Sequence, residues 1–190
     1  MGNTTLAEAD IAQRIQRIED TLAIQQLPIR YAMAVDSRDL DGWTELFVPD
    51  VQVGRHLSGR TALREVIAPR LREFYRSIHQ IVGHRIELGD ADHATGSVYC
   101  RAEHEVGSRW VVMAIRYDDE YRKVGGQWLF TRRREKHWYA ADLVERPQEV
   151  AMNSWNPPAV TPQLPHESPS WAMFWAGADT AELTSLPVHE

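Results

Sequence analysis

The chain has few of the residues and segments that mark several common classes of protein. It has one cysteine, Cys100, among 190 residues. A single cysteine excludes an internal disulfide framework and favours a reducing, cytoplasmic location. No apolar run approaches the roughly 20 residues that a membrane-spanning helix needs, so we expect no membrane segment. The N-terminus also lacks a basic region followed by an apolar one, and we therefore expect no secretion signal.

Positive charge is scarce as well. The chain has 21 Lys and Arg against 27 Asp and Glu, which gives a net charge of −6 at pH 7. An acidic balance disfavours a polyanionic partner. The basic run 132–134 is short and lies in a strand-like pattern, so we do not interpret it as a nucleic-acid patch.

Familiar cofactor and nucleophile motifs are missing. There is no HExxH, no pair of cysteines, no Gly-rich phosphate loop and no serine nucleophile elbow. His104 stands between Glu103 and Glu105, but neighbours in a strand point to opposite faces and do not share a metal. The sequence therefore predicts chemistry without a metal or a cofactor.

The first half of the chain has helical patterns. Thr5 to Glu8 has the form of a capping box. Pro28 is predicted to interrupt the first helix or to start a new one. A further helix is predicted over 61–76, with a kink at Pro69. The first helix also has an apolar stripe at helical spacing, made by Ile11, Ile15, Ile18 and Leu22.

Strand patterns follow the helices in quick succession. Gly89-Asp90 and Gly125-Gly126 are hairpin-turn signals between them. Helices followed by a run of antiparallel strands predict an α+β domain, with the helices on one face of a curved sheet. The strands are predicted at 78–88, 93–106, 109–123 and 127–140.

The composition changes near residue 142, which divides the chain into a domain at 1–142 and a C-terminal arm at 143–190. Seven of the ten prolines lie in the arm, together with Trp155, Trp171, Phe174 and Trp175. Ser168-Pro169 favours a short helix near its end. Two interpretations remain open: the arm packs as a strap on the body or a neighbouring subunit, or it forms a lid or a subunit clasp.

Three polar residues on this framework are candidates for catalysis: Tyr31, Asp36 and His79. Asp36 falls near the C-terminus of a helix, where the helix dipole opposes a carboxylate. The alternative is that Asp36 only begins a turn, where Asp is common. Tyr31 lies five positions earlier, about 140° around an ideal helix, so both side chains can border one cavity.

His79 is the candidate base, and strand parity makes its direction uncertain from sequence. Strict alternation places His84 with the apolar face of the strand and His79 on the other face. A bulge near Gly83 would bring His79 to the interior. His84 is the rival base in the absence of a bulge.

The last strand carries a third group of polar residues. Strict alternation divides it into one polar-lined face and one that mixes aromatics with long cations, and the sequence does not choose between them. The first face comprises Leu129, Thr131, Arg133, Glu135, His137 and Tyr139, and the second comprises Trp128, Phe130, Arg132, Arg134, Lys136 and Trp138.

These segments together resemble a known superfamily. The runs RYAMAVDSRDLDGWTELFVPDV, HQIVGHRIELGDADHATG and GGQWLFTRR are similar to the SnoaL-like branch of the nuclear transport factor two-like superfamily. The resemblance covers roughly residues 10 to 142. It implies a cone-shaped curved antiparallel sheet wrapped around the N-terminal helices, with a deep apolar cavity.

The resemblance also suggests site residues. Scytalone dehydratase, bile-acid 7α-dehydratase and hexachlorocyclohexane dehydrochlorinase use a His–Asp dyad, and the matching positions are His79 and Asp36. The bile-acid enzyme has a Tyr five residues before its Asp, matched by Tyr31, and an Arg at the position of His137. The dehydrochlorinase has an Arg five residues after a final-strand Trp, matched by Arg133. The predicted substrate-binding residues are Arg133, His137, Tyr117, Trp43 and Phe47.

Three functions follow as hypotheses. The leading one is a cofactor-independent lyase that removes water or another small group from a hydrophobic cyclic substrate, steroid-like or polyketide-like. The second is a ketosteroid-type isomerase or polyketide cyclase. The third is a non-catalytic small-molecule-binding protein or an oxygenase small subunit. We also predict a homo-oligomer, trimer or dimer, because the strand at 109–117 is apolar on both sides.

Overall fold

The computed structural model describes residues 2–144 and the isolated positions 169, 172, 176 and 177, with side chains described from residue 8 onward. The rest of the predicted arm, including its aromatic residues and most of its predicted helix, lies outside the described residues. The elements are α1 (Gly2–Ser37), α2 (Leu40–Glu45), β1 (Gln52–Val53), β2 (Leu57–Ser58), α3 (Arg60–Arg70), β3 (Ser77–Leu88), β4 (His93–Val106), β5 (Arg109–Val124) and β6 (Gln127–Asp142).

The predicted α+β architecture is confirmed. Four long strands form one antiparallel sheet in the order β3-β4-β5-β6, and α1 packs against β3 and β6 on one face of it. The predicted bounds of β4 agree with the structure, and the other strands differ by one or two residues at an end. Gly125 and Gly126 have φ of 56° and 81°, which a tight hairpin between twisted strands requires. None of the helices in the described part of the chain is long and apolar enough to cross a membrane.

The predicted break at Pro28 is wrong, because α1 continues through it from Gly2 to Ser37. Pro28 is fully buried, as are Ile24 and Leu27 on the same side of the helix. Burial of this side on the body offsets the hydrogen bond that proline removes. The capping box is also misplaced, because the helix begins at Gly2 and Thr5 lies inside it.

Pro69 ends α3 where the sequence predicted a kink. The helix runs from Arg60 to Arg70 and stops one residue after the proline. The proline ring clashes with the preceding turn and supplies no N–H, which makes continuation costly. Leu71 and Phe74 remain buried in the core, so the chain beyond the helix still packs as its apolar residues require.

The bulge expected in β3 is present. Ile81 pairs with Cys100 and Gly83 pairs with Tyr99, so Val82 is the extra residue between them. The bulge shifts the alternation by one residue. As a result His79 and His84 both face the interior of the fold.

Two bulges in β6 overturn the prediction of strict alternation there. The register shifts between Glu120 and Tyr121 of β5 leave Thr131 unpaired, and those between Ala114 and Ile115 leave Trp138 unpaired. The strand therefore changes face twice along its length. Its interior residues are Trp128, Phe130, Arg133, Glu135, His137 and Ala140.

Candidate active site

The C-terminal end of α1 meets the beginning of β3 through Asp36 and His79. The His79 Nδ1 atom lies 2.7 Å from Asp36 Oδ1, and the His79 backbone N–H donates to Asp36 Oδ2 at 2.9 Å. The Ser77 hydroxyl donates to Asp36 Oδ1 at 2.8 Å. The Asp36 side chain is 24% accessible and the His79 side chain is 7% accessible. The pair therefore sits largely withdrawn from solvent, with the carboxylate fully hydrogen-bonded.

These contacts determine the protonation of the pair. Partial burial raises the pKa of Asp36, but the hydrogen bonds from His79 and Ser77 outweigh burial and leave that pKa below its ordinary value. Asp36 is then a carboxylate and accepts hydrogen bonds only, so His79 Nδ1 carries a proton. The Nε2 atom of His79 is left as the basic nitrogen.

Arg38 connects the two elements that carry the pair. Its backbone has φ of 61°, the only positive value for a non-glycine residue among those described. Its guanidinium donates to Val35 O, to the Ser77 hydroxyl at 3.1 Å, and to the Phe74 and Tyr75 carbonyls at 3.1 Å. These bonds tie the last turn of α1 to the start of β3, and so hold Asp36 against His79.

His104 of β4 is a second imidazole beside the pair. Its ring lies 5.4 Å from the His79 ring and 4.6 Å from the Phe74 ring, centroid to centroid. Burial and the nearby His79 lower the pKa of His104 to about 3. His104 therefore stays neutral and gives His79 an uncharged neighbour.

Aromatic residues from three elements cluster around Tyr31. The Tyr31 ring lies 5.7 Å from Trp43, 6.5 Å from Phe47, 6.0 Å from Tyr117 and 6.1 Å from Phe130. Burial raises the pKa of Tyr31 to about 12, so the phenol keeps its proton at neutral pH. Trp43 and Phe47 are 3% and 4% accessible, which places them behind Tyr31 as packing.

Arg133 lies inside this aromatic cluster and forms a buried ion pair. Its Nε and Nη2 atoms donate to the two oxygens of Asp119 at 2.9 and 2.7 Å. Its Cζ atom lies 4.4 Å from the Tyr31 ring centroid and 4.2 Å from the Tyr117 centroid. The Arg133 side chain is 4% accessible and that of Asp119 is 0% accessible. Burial lowers the pKa of Arg133, but Asp119 more than compensates and raises it.

The ion pair continues into a chain of hydrogen bonds. The Tyr121 hydroxyl donates to Asp119 Oδ2 at 2.9 Å, and His84 Nε2 lies 3.0 Å from the same hydroxyl. A Cβ at Gly96 would lie 3.0 Å from His84 Nε2 and 3.1 Å from Tyr121, so glycine provides the space for this contact. The buried Nη1 atom of Arg133 has no hydrogen-bond partner among the described residues.

A second His–carboxylate pair faces the interior from β6. His137 Nε2 lies 2.8 Å from Glu135 Oε1. The His137 side chain is 7% accessible, whereas that of Glu135 is 45% accessible although it points inward. Burial raises the pKa of Glu135, but His137 and the more distant His79 outweigh burial and leave the pKa lowered. Glu135 is therefore an anion at neutral pH.

The structure brings the predicted residues into two groups on the interior face. Asp36 and His79 form the first group, and the second contains Tyr31 with Arg133 and three buried aromatics: Trp43, Phe47 and Tyr117. His137 pairs with Glu135. Their roles in binding or catalysis remain predictions.

Sequence reasoning missed Ser77, Arg38, Asp119 and Tyr121. Strand alternation could have identified Ser77, because it lies two residues before His79 and therefore on the same face of β3. Asp119 is 14 residues from Arg133 along the chain, and only the register of β5 with β6 places them opposite each other. No local pattern gives that register.

Within the described residues, no cluster of three or more His, Cys, Asp or Glu side chains could hold a metal ion.

The structure has the features of the α+β barrel that the resemblance implies. It has a curved antiparallel sheet with α1 packed against it and an interior His–Asp pair. The SnoaL-like domain model matches residues 16–134. The chain belongs to this family, within the nuclear transport factor two-like superfamily. No curated protein matches the chain.

Solved structures of similar fold include proteins described as enzymes. A proposed scytalone dehydratase from Novosphingobium aromaticivorans has 21% identity and a TM-score of 0.61, over 70% of this chain and 94% of the other. Hexachlorocyclohexane dehydrochlorinase LinA-type3 from Novosphingobium barchaimii has 22% identity and a TM-score of 0.61, over 70% and 96%. A proposed aromatic ring hydroxylase from N. aromaticivorans has 27% identity and a TM-score of 0.58, over 66% and 94%.

Proposed function

We propose that this protein is a cofactor-independent lyase that eliminates water or another small group from a hydrophobic cyclic substrate. The observation that carries the proposal is the 2.7 Å contact between His79 Nδ1 and Asp36 Oδ1 in a largely buried setting. Membership of the SnoaL-like family and fold similarity to a dehydrochlorinase support it. The dyad supplies a base whose tautomer and orientation are fixed before substrate arrives.

In the proposed step, His79 Nε2 removes a proton from a carbon of the substrate. The electron pair of that C–H bond forms a double bond to the adjacent carbon, and the bond to the leaving group breaks with its own electron pair. Asp36 stabilises the imidazolium that forms. Positioned proton transfer contributes about 10²–10⁴-fold, so the carbon acid must already be activated, for example by a neighbouring carbonyl.

Arg133 is the candidate donor for the negative charge that develops on the substrate. Asp119 accepts hydrogen bonds from Nε and Nη2 of Arg133. The Nη1 atom of Arg133 is left as a buried donor without a partner among the described residues. A donor held ready in a buried site stabilises developing charge without reorganisation. Tyr31 is a neutral phenol beside Arg133 and can donate to a carbonyl or to a departing hydroxyl.

The aromatic residues around Tyr31 favour a flat or cyclic apolar substrate. Tyr31, Tyr117 and Phe130 are the members of this cluster that stack on the cation of Arg133. Aromatic surfaces offer a large apolar area with defined geometry. We therefore assign Arg133, Tyr31 and Tyr117 to the substrate site, with Trp43 and Phe47 supporting them.

The proposal is tested by mass spectrometry of products. The protein is incubated with cyclic β-hydroxyketones, scytalone among them, and with hexachlorocyclohexane. We expect loss of water or of hydrogen chloride from at least one compound, and we expect His79→Ala and Asp36→Asn to abolish that loss. His93→Ala is the matched control, because His93 forms an exposed pair with Asp90. Turnover that persists in both dyad variants would reject His79 and Asp36 as the catalytic pair, and retention of a ligand without turnover would reject the lyase in favour of a binding protein.

A second candidate function is an isomerase that moves a proton within the substrate. The observation that favours it is the second interior pair, His137 with Glu135, which faces the same interior as the dyad. Two acid/base groups could take a proton from one carbon and return it to another. A product of unchanged mass, lost in Glu135→Gln, would select the isomerase over the lyase.

A further inference from the structure

The first turns of α1 have an apolar stripe that no residue in the described part of the chain covers. Ile11, Ile15, Ile18 and Leu22 are 51% to 59% exposed, and Ile29 further along is 42% exposed. The buried residues of α1 lie on the opposite side of the helix, where it packs on the body. The stripe is therefore an outward face and not the edge of the core.

Among the described residues, little of the body packs on the same part of α1. Every side chain from residue 8 to residue 19 is exposed. This stretch of helix is about 18 Å long. Isolated helices of about 12 residues are marginal in water, and most helix stability in proteins comes from packing of an apolar face. A helical stretch that carries exposed isoleucines therefore indicates a partner along it.

The spacing of the stripe specifies the kind of partner. Successive members from Ile11 to Leu22 are four, three and four residues apart, and Gln25 and Ile29 continue the alternation. This is the spacing of the a and d positions of a two-stranded coiled coil. We call the stripe, extended to Ile29, the seam. It fits a helix with the same repeat and leaves no groove for an extended peptide.

The charges beside the seam fit a second copy in the parallel direction. Ile15, Leu22 and Ile29 take a positions, so Arg14 takes a g position and Glu19 the following e position. In parallel pairs a g residue faces the e residue five positions later in the other helix. Arg14 of each copy would then face Glu19 of the other, an opposite-charge pair repeated on both sides by symmetry.

The available area is also sufficient. Five aliphatic side chains and Met33, each about half exposed, offer roughly 600 Å² per copy, and a specific interface buries about 1,200 Å² or more in total. The oligomer was first predicted from the strand at 109–117, which is apolar on both sides. That surface is a weaker candidate, because Val112 is already buried within one chain, at 5% accessible.

We propose that α1 is a dimerisation element, in which the faces made by Ile11, Ile15, Ile18, Leu22 and Ile29 of two copies form a parallel two-stranded coiled coil. The proposal concerns assembly and does not depend on the proposed lyase activity. The seam lies on the opposite side of the helix from Tyr31.

Sedimentation equilibrium of the full chain tests the seam. We expect a species of twice the 21.8 kDa chain mass. Ile15→Glu buries a charge in the seam and is expected to raise the dissociation constant at least about 100-fold. Gln13→Glu, exposed on the same turns but off the seam, is the control and is expected to leave the constant unchanged. A monomeric wild-type chain, or an assembly that Ile15→Glu does not affect, would overturn the proposal.

Two further variants test the direction. Arg14→Glu is expected to weaken association and the added Glu19→Arg to restore it. Ile11→Cys and Leu22→Cys are each expected to cross-link to the same residue of the partner on oxidation, since Cys100 is buried. In an antiparallel pair, at most one of these two positions could lie beside the same position of the other helix. Failure of both cross-links would contradict the parallel arrangement, and circular dichroism of each variant verifies that it folds.

Discussion

Asp36 occupies a position that electrostatics disfavours and that its partners make tenable. A carboxylate in the last turn of a helix faces the negative end of the helix dipole, at a cost of a few tenths of a kcal/mol to about 1 kcal/mol. Hydrogen bonds from the His79 backbone, the His79 ring and Ser77 offset this cost. An acid held in an unfavourable position by specific donors indicates a role beyond the local turn.

The lowered pKa of Asp36 gives a pH-dependent contribution to stability. A carboxyl whose pKa is lower in the folded state stabilises the fold above its unfolded pKa of about 3.9, and this contribution is lost as the pH falls through the folded pKa. We expect Asp36→Asn to lower the free energy of unfolding at pH 6 and to approach wild type as the pH falls through the folded pKa. Urea unfolding at a series of pH values measures the difference, with Asp10→Asn, an exposed acid of α1, as control. A difference independent of pH would contradict this assignment.

The ion pair between Arg133 and Asp119 predicts strong coupling. Removing one partner leaves an uncompensated buried charge, which costs about 3–5 kcal/mol. We expect Arg133→Met and Asp119→Asn each to destabilise by about that amount, and the double variant to cost clearly less than their sum. Chemical denaturation of the four proteins completes the cycle, and strict additivity of the two changes would show that the pair is not coupled.

At the scale of elements, the bulge in β3 decides which histidines reach the interior. The extra residue, Val82, is 68% exposed and makes no visible contribution to the core. Its role is one of register, because it allows residues on both sides of it to point inward.

Deletion of Val82 is predicted to be far more harmful than its truncation. Without the extra residue the strand alternates strictly, so only one of His79 and His84 can face the interior. The other histidine turns outward together with the residues on its side of position 82. We expect loss of turnover and a fall in thermal stability for the deletion, and near wild-type behaviour for Val82→Ala. Thermal unfolding and product assays on both variants measure this, and an active deletion variant would show that the bulge does not position the dyad.

Individual elements also show why some predictions succeeded and others failed. Alternation and turn glycines placed β4 correctly, because both signals are local. The bulges at Thr131 and Trp138 have no local signal, since the register of β6 depends on its fit against β5. The break predicted at Pro28 failed for a related reason, because packing of the whole of α1 outweighs the local cost of proline.

At the scale of the whole molecule, the fold brings together side chains that are distant in sequence. The superfamily resemblance implied the His79–Asp36 pairing, and the geometry places those groups in contact. The supports of the pair are different. Arg38 reaches Ser77 across 39 residues, and Asp119 contacts Arg133 on the neighbouring strand. The first contact exists only once α1 is packed on the sheet and the second only once β5 and β6 are paired in register, so neither periodicity nor residue type predicts them.

The central claim is that His79 removes a proton from carbon, and the most direct measurement is exchange of carbon-bound hydrogen with solvent. The cyclic ketone 2-tetralone is incubated in deuterium oxide with the protein, and deuterium incorporation next to the carbonyl is followed by NMR. The account predicts exchange above the protein-free rate for the wild type and for His93→Ala, and none above that rate for His79→Gln. Undiminished exchange in His79→Gln would contradict it, as would a wild type no faster than solvent alone.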